Sequence, residues 1–255
     1  MLVYKSWLET RWRFLIGLVL LMCSAAAIVL SYPSVMKLMP MASTIDATGA
    51  LGRRIREGVE LTRDYRGYVW SQWFGQNALQ TGTLFAVLLG SGSPLSQGSG
   101  DVALFTLSLP VSRNRLLGVR AATGLVEFLV LAVMPSLLIP LLSQGIGQTY
   151  GVGSALIHGA CLFIAGAVFF SLAILLSTIF SDLWRPLLIA LSVAALLGLC
   201  ELVFRDLWPH GIFRVMSGEL YFRGGGLPWV GLLASAFVSV AMLYVAAINI
   251  ARQDF

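Results

Sequence analysis

Residues 155–180 read Ala-Leu-Ile-His-Gly-Ala-Cys-Leu-Phe-Ile-Ala-Gly-Ala-Val-Phe-Phe-Ser-Leu-Ala-Ile-Leu-Leu-Ser-Thr-Ile-Phe, with no Asp, Glu, Lys or Arg among them. A helix needs ~20 mainly apolar residues to cross the hydrocarbon of a bilayer. In that medium the backbone must satisfy its own hydrogen bonds, which an α-helix does. Working outward, five more stretches are mainly apolar, with Glu127 and Glu201 the charged residues among them: 14–31, 74–90, 121–142, 187–204 and 227–250. The chain is 58% hydrophobic and 11% charged, where a soluble domain carries about a quarter charged residues. The expected fold is therefore an all-α integral membrane protein, one transmembrane domain over residues 1–255 with six spans.

The net charge of +5 is spread as arginines between the apolar stretches. That is the pattern of positive flanks on membrane helices, not the basic stripe of a nucleic-acid binder, so no nucleic-acid partner is expected. Cys23, Cys161 and Cys200 each fall inside an apolar span and read as small buried hydrophobes rather than a disulfide or zinc set. Lys5, Arg11 and Arg13 precede the first span, which is too long for a signal peptide's apolar core and is expected to be retained.

Residues 1–13 mix Val3, Trp7 and Leu8 with Lys5, Glu9, Arg11 and Arg13, which suits an interfacial helix before the first span. Pro33 is expected to close that span. Within the connection that follows, Leu51, Ile55, Val59, Thr62, Arg66, Val69 and Trp73 recur at helical steps, predicting an amphipathic helix lying on the bilayer surface. The second span is interrupted by polar groups. Gln76, Gln80 and Thr83 share one helical face, so they are expected either to bond to neighbouring helices or to line a wet pathway.

Between the second and third spans lies a polar segment, 98–120, opened by glycines and closed by arginines. Pro110 ends one helical stretch and Ser112 can cap the next, with Arg113, Arg115 and Arg120 at its start. The run Leu107-Ser108-Leu109-Pro110-Val111-Ser112-Arg113, followed by Arg115-Leu116-Leu117, resembles the cytoplasmic loop between the second and third membrane helices of type-2 ATP-binding-cassette exporter permeases. Just upstream, where that family usually carries an acidic residue followed by Gly-Thr, this chain has Gly100 and Asp101. The resemblance covers roughly residues 98–135. It implies six helices per subunit, an interfacial N-terminal helix, a second permease subunit in a homodimer or heterodimer, and a separate ATPase subunit that binds ATP and Mg. It also implies that Leu109, Pro110, Val111, Ser112, Arg113 and Arg115 form the elbow that meets this ATPase.

The chain itself carries no Gly-x-x-x-x-Gly-Lys-Ser/Thr loop, so ATP hydrolysis belongs to a partner and the chain is not expected to be an enzyme or to bind a cofactor. Gly98-Ser99-Gly100-Asp101 lacks a second mid-span aspartate with which to build a protease dyad. His158 and His210 stand alone, and no residue set reads as a metal site; Met36, Met39 and Met41 read as an apolar rim. Glu127 lies about 10 Å along the third span from Arg120. It is either a functional carboxylate, as in a secondary transporter, or the partner of Arg120 or of polar groups on the second helix. Glu201 is expected to pair with Arg205 at i+4. Pro135 and Pro140 are expected to kink the third span. Small residues at four-residue steps, Ala190-Ala194-Gly198 and Gly231-Ser235-Ser239, allow close helix approach within one subunit or between two. Cations flanking the first span, with the uncharged 143–154 connection, place both termini in the cytoplasm of a bacterial inner membrane.

Overall fold

The computed structural model describes residues 2–42, 60–92, 113–180, 182–204 and 211–252. Every regular element among them is helical: α1 (Leu2–Ala42), α2 (Tyr65–Val69), a π-helical segment (Trp70–Asn77), α3 (Ala78–Gly90), α4 (Arg113–Gly145), α5 (Val152–Ile179), α6 (Trp184–Val203), α7 (Ile212–Ser217), α8 (Glu219–Phe222) and α9 (Trp229–Arg252). Five helical stretches are long and apolar enough to cross a membrane: Val3–Lys37, Asn114–Gly145, Val152–Ile179, Trp184–Val203 and Trp229–Arg252. The chain is thus an all-α protein with the helices of a membrane domain.

α5 sits at the centre, packed by α3, α4, α6, α7 and α9, while α1 lies along α4. Two glycines make this possible. A Cβ on Gly90 would stand 2.5 Å from the Phe170 carbonyl oxygen, and one on Gly166 would stand 2.7 Å from the Phe128 ring, so α3 and α4 both approach α5 closely. Phe74, Phe128, Phe169, Phe170 and Trp73 fill the resulting core. The outward faces of α1, α6 and α9 carry Ile16, Val19, Leu188, Leu196, Leu233 and Phe237, an apolar exterior suited to acyl chains.

Several expectations are corrected. The N-terminal residues form no separate interfacial helix, and Pro33 ends nothing: α1 is continuous from Leu2 to Ala42. Proline removes one i to i−4 bond, here to the Val29 carbonyl, and an apolar helix packed by its neighbours tolerates that loss. Just before it, Ser31 Oγ donates to Ala27 O at 2.6 Å and Tyr68 Oη to Ile28 O at 3.1 Å. α4 likewise runs unbroken through Pro135 and Pro140. Of the stripe placed on the bilayer surface, Leu51, Ile55 and Val59 lie outside the described residues, Arg66 is exposed, and Val69 and Trp73 turn inward, fully buried. The stretch read as a second span, 74–90, is continuous helix made of the second half of the π-helical segment and α3, and is not among the five stretches above. Cys161 alone of the three cysteines is buried.

The small-residue stripes pack within this one chain. Ala190, Ala194, Ser235 and Ser239 are buried, Gly198 faces the Phe213 ring, and Gly231 lies against Val215 with no room for a side chain.

Candidate functional site

The polar face of the second predicted span does not turn into the chain. Gln76 and Gln80 are exposed, and Gln72, one helical step earlier, extends the same outward stripe. None of the three amides hydrogen-bonds within the described residues. Thr83 is the exception: it is buried and bonds its own helix at Leu79 O, 2.7 Å away. The expected bonds to neighbouring helices are therefore absent among the described residues. Gln72 was missed because it stands before the first residue of the span, although its i−4 spacing from Gln76 was the available signal.

Where α3 ends, its last carbonyls face two arginines from other helices. Arg13 Nη1 on α1 donates to Leu88 O at 3.1 Å and to Ser91 O at 2.9 Å, while Arg120 Nη2 on α4 donates to the same Ser91 oxygen at 3.2 Å. A helix C-terminus leaves carbonyls unpaired and carries the negative end of the dipole, so cations there are favourable. Gly92 continues the chain at φ +119°, where a Cβ would stand 2.6 Å from Arg120 Nη2, and its N–H donates to Ser177 Oγ on α5 at 3.2 Å. Four helices thus meet at one point. Segment 98–112 joins α3 to α4 through this point in sequence. That segment, with Leu109, Pro110, Val111 and Ser112, lies outside the described residues. Arg113 is the first residue of α4 and Arg115 is exposed on it.

Glu127 is 4% exposed, deep in α4. It bonds neither Arg120 nor α3; its partner is Thr10 on α1, with Oγ1 to Oε1 at 2.6 Å. The distance along the helix kept Arg120 out of reach, and the α1–α4 packing brought Thr10 in instead. The second carboxyl oxygen, Oε2, is buried without a partner among the described residues.

At the opposite end, His158 is completely buried. Its Nδ1 lies 3.0 Å from the Ser217 carbonyl, which fixes the proton on Nδ1 in the neutral ring, and Phe74 stacks on it at 4.5 Å. Trp70 Nε1 donates to the same Ser217 oxygen at 3.1 Å and its ring stacks on Phe222 at 4.4 Å, tying the π-helical segment to α7 and α8. Tyr65 and Ser143 share a hydrogen bond of 2.5 Å, and Tyr32 packs edge-on to Tyr65. Burial holds the Tyr150 phenol well above its ordinary range. Glu201 accepts the Phe213 N–H at 3.0 Å, anchoring the start of α7. Its predicted partner Arg205, like His210, lies outside the described residues.

Three buried or lipid-depth features therefore have chemistry to offer: an outward amide stripe, an arginine-held helix end and a carboxyl shared between α1 and α4. Among the described residues no group of His, Cys, Asp or Glu is placed to hold a metal ion. No protein-family model, curated protein or solved structure matches the chain.

Proposed function

We propose that this chain is the membrane subunit of a type-2 ATP-binding-cassette exporter. It works beside a second permease subunit and is driven by a separate ATPase subunit that binds ATP and Mg. The observation that carries the reading is the outward stripe Gln72, Gln76 and Gln80. Amides facing hydrocarbon alone lose their hydrogen bonds at a cost of several kcal/mol on transfer scales. A second copy or a water-lined pathway between two copies removes that cost. The helix end at Ser91 supports the same reading, since a push on the Leu109–Arg115 elbow would reach α1, α3 and α4 together through Arg13 and Arg120. Closure of the ATPase would then tilt these helices as rigid bodies and open the path between subunits. Both termini lie on the cytoplasmic side in this scheme, in a bacterial inner membrane, and six spans are completed by the π-helical segment with α3.

The test has two arms. In a background lacking Cys23, Cys161 and Cys200, Gln76→Cys is expected to form an intersubunit disulfide in membranes, whereas a cysteine at Val240 on the exposed face of α9 is not. Arg113→Glu and Arg115→Glu are expected to insert normally, and at least one of them to lose the ATPase partner or its stimulation. Normal assembly and transport by both would overturn the coupling to an ATPase at the elbow.

A second reading, a secondary transporter with Glu127 as proton or ion carrier, is favoured by the unpartnered Glu127 Oε2. Transport that follows a proton gradient without ATP, and loses that dependence in Glu127→Gln, would select it.

A further inference from the structure

On the first turns of α1, Lys5, Glu9 and Arg13 fall at four-residue steps along one face. Arg13 meets Arg120 of α4 at the Ser91 carbonyl, so two guanidiniums lie side by side. Among the described residues, Glu9 is the carboxylate whose charge acts on both. Two half-buried cations against that one anion leave a positive excess among the described residues. The bonding is also incomplete. Among the described residues Arg13 commits only Nη1 and Arg120 only Nη2, although each guanidinium has five N–H donors in a planar fork. Neighbouring forks of this kind match the oxygens of a phosphate.

The depth of the pair identifies where the phosphate comes from. Tyr4, Trp7 and Trp12 on the same turns of α1 are 65%, 39% and 65% exposed. Exposed tyrosine and tryptophan at a span end mark the headgroup layer. One turn further on, Leu15 and Ile16 are exposed and apolar, a surface for an acyl chain. We propose that the Arg13–Arg120 pair binds the phosphate of an anionic phospholipid from the adjoining leaflet. Its headgroup then bridges α1, α4 and the end of α3. This inference rests on the membrane reading and not on the exporter reading, and it stands or falls without an ATPase.

The test uses the full chain purified in detergent, with dioleoyl phosphatidylglycerol, dioleoyl phosphatidylcholine and inorganic phosphate as separate probes. Native mass spectrometry is expected to show retention of phosphatidylglycerol over phosphatidylcholine. Retention should fall about thirtyfold in Arg13→Gln/Arg120→Gln, taking ~1 kcal/mol for each basic residue at 1.4 kcal/mol per decade. Arg252→Gln, at the far end of α9, should retain the lipid like the parent. Equal retention of both lipids, or undiminished selectivity in the double variant, overturns the proposal. Displacement of the lipid by millimolar inorganic phosphate overturns the lipid as the source and leaves a free-anion site. Should the double variant fail to fold, a phosphatidylglycerol analogue with a photoreactive headgroup decides on the parent. Crosslinks concentrated in residues 2–13 and 114–122 support the site, and crosslinks no denser there than in 184–203 overturn it.

Discussion

Thr10 has one hydroxyl hydrogen and three oxygens around it: Ser6 O at 3.2 Å, Trp7 O at 3.5 Å and Glu127 Oε1 at 2.6 Å. Only one of them can receive it. Glu127→Gln keeps the shape and gives the site a donor of its own, so its thermal stability should stay within about 1 kcal/mol of the parent. Glu127→Ala opens a cavity and leaves Thr10 with its own helix, and should cost about 2–4 kcal/mol in a denaturation series. Tyr150 makes the opposite case, because its buried hydroxyl has no partner among the described residues. Tyr150→Phe should therefore be neutral or slightly stabilising. The raised phenol of the parent means that the folded state keeps its proton longer than the unfolded state does. Stability should thus decline as pH rises past about 10, and the variant should decline less. Glu127 was legible in the sequence because an ionisable residue stands out in an apolar run. Thr10 was not, since 117 positions separate the two and only helix pairing joins them.

Among elements, the end of α3 depends on side chains from elsewhere. Replacing Arg13 by Ala removes two charged hydrogen bonds to Leu88 O and Ser91 O, each kind worth about 1.5–3 kcal/mol. Because Arg13 is only half-buried, Arg13→Ala should cost about 3 kcal/mol, the lower bound for the two bonds, while exposed Arg115→Ala should fall within ~0.5 kcal/mol of the parent. Backbone amide exchange near Ser91 and Gly92 would localise the loss. Long uncharged helices such as α5 were readable from composition alone. The course of α1 through Pro33 was not, because the contacts flanking the proline come from a segment read as a surface helix: Tyr68 bonds the Ile28 carbonyl and Tyr65 packs on Tyr32. The same long-range packing buries Val69 and Trp73 against expectation.

For the whole molecule, cations occur on both sides of the bundle: among the described residues, Lys5, Arg11, Arg13, Arg115, Arg120, Arg185 and Arg252 near the starts of α1, α4 and α6 and the end of α9, and Lys37, Arg63, Arg66, Arg214 and Arg223 elsewhere. The three cations before the first span and the uncharged 143–154 connection, not the total, set the expected orientation. In a cysteine-free background, Gln148→Cys should react with an impermeant thiol reagent on intact cells, and Asn114→Cys only after the membrane is opened; the reverse pattern would invert the topology. Six spans were read from hydropathy, and among the described residues five helices qualify by length and composition; the stretch ending at Gly90 is continuous helix, with the wide turn Trp70–Asn77 inside it.

That wide turn, Trp70–Asn77, bonds i to i+5 and so holds about one residue more than an α-helix over the same length. The surplus is slack. Removing Gly75 should let the backbone tighten to ordinary helix while Trp70 keeps its bond to Ser217 O and Gly90 its seat against Phe170. Removing Gly166 from α5, which has no slack, turns every following side chain by about 100°. The first deletion should express and fold, the second should not, and circular dichroism of the two purified proteins would tell them apart.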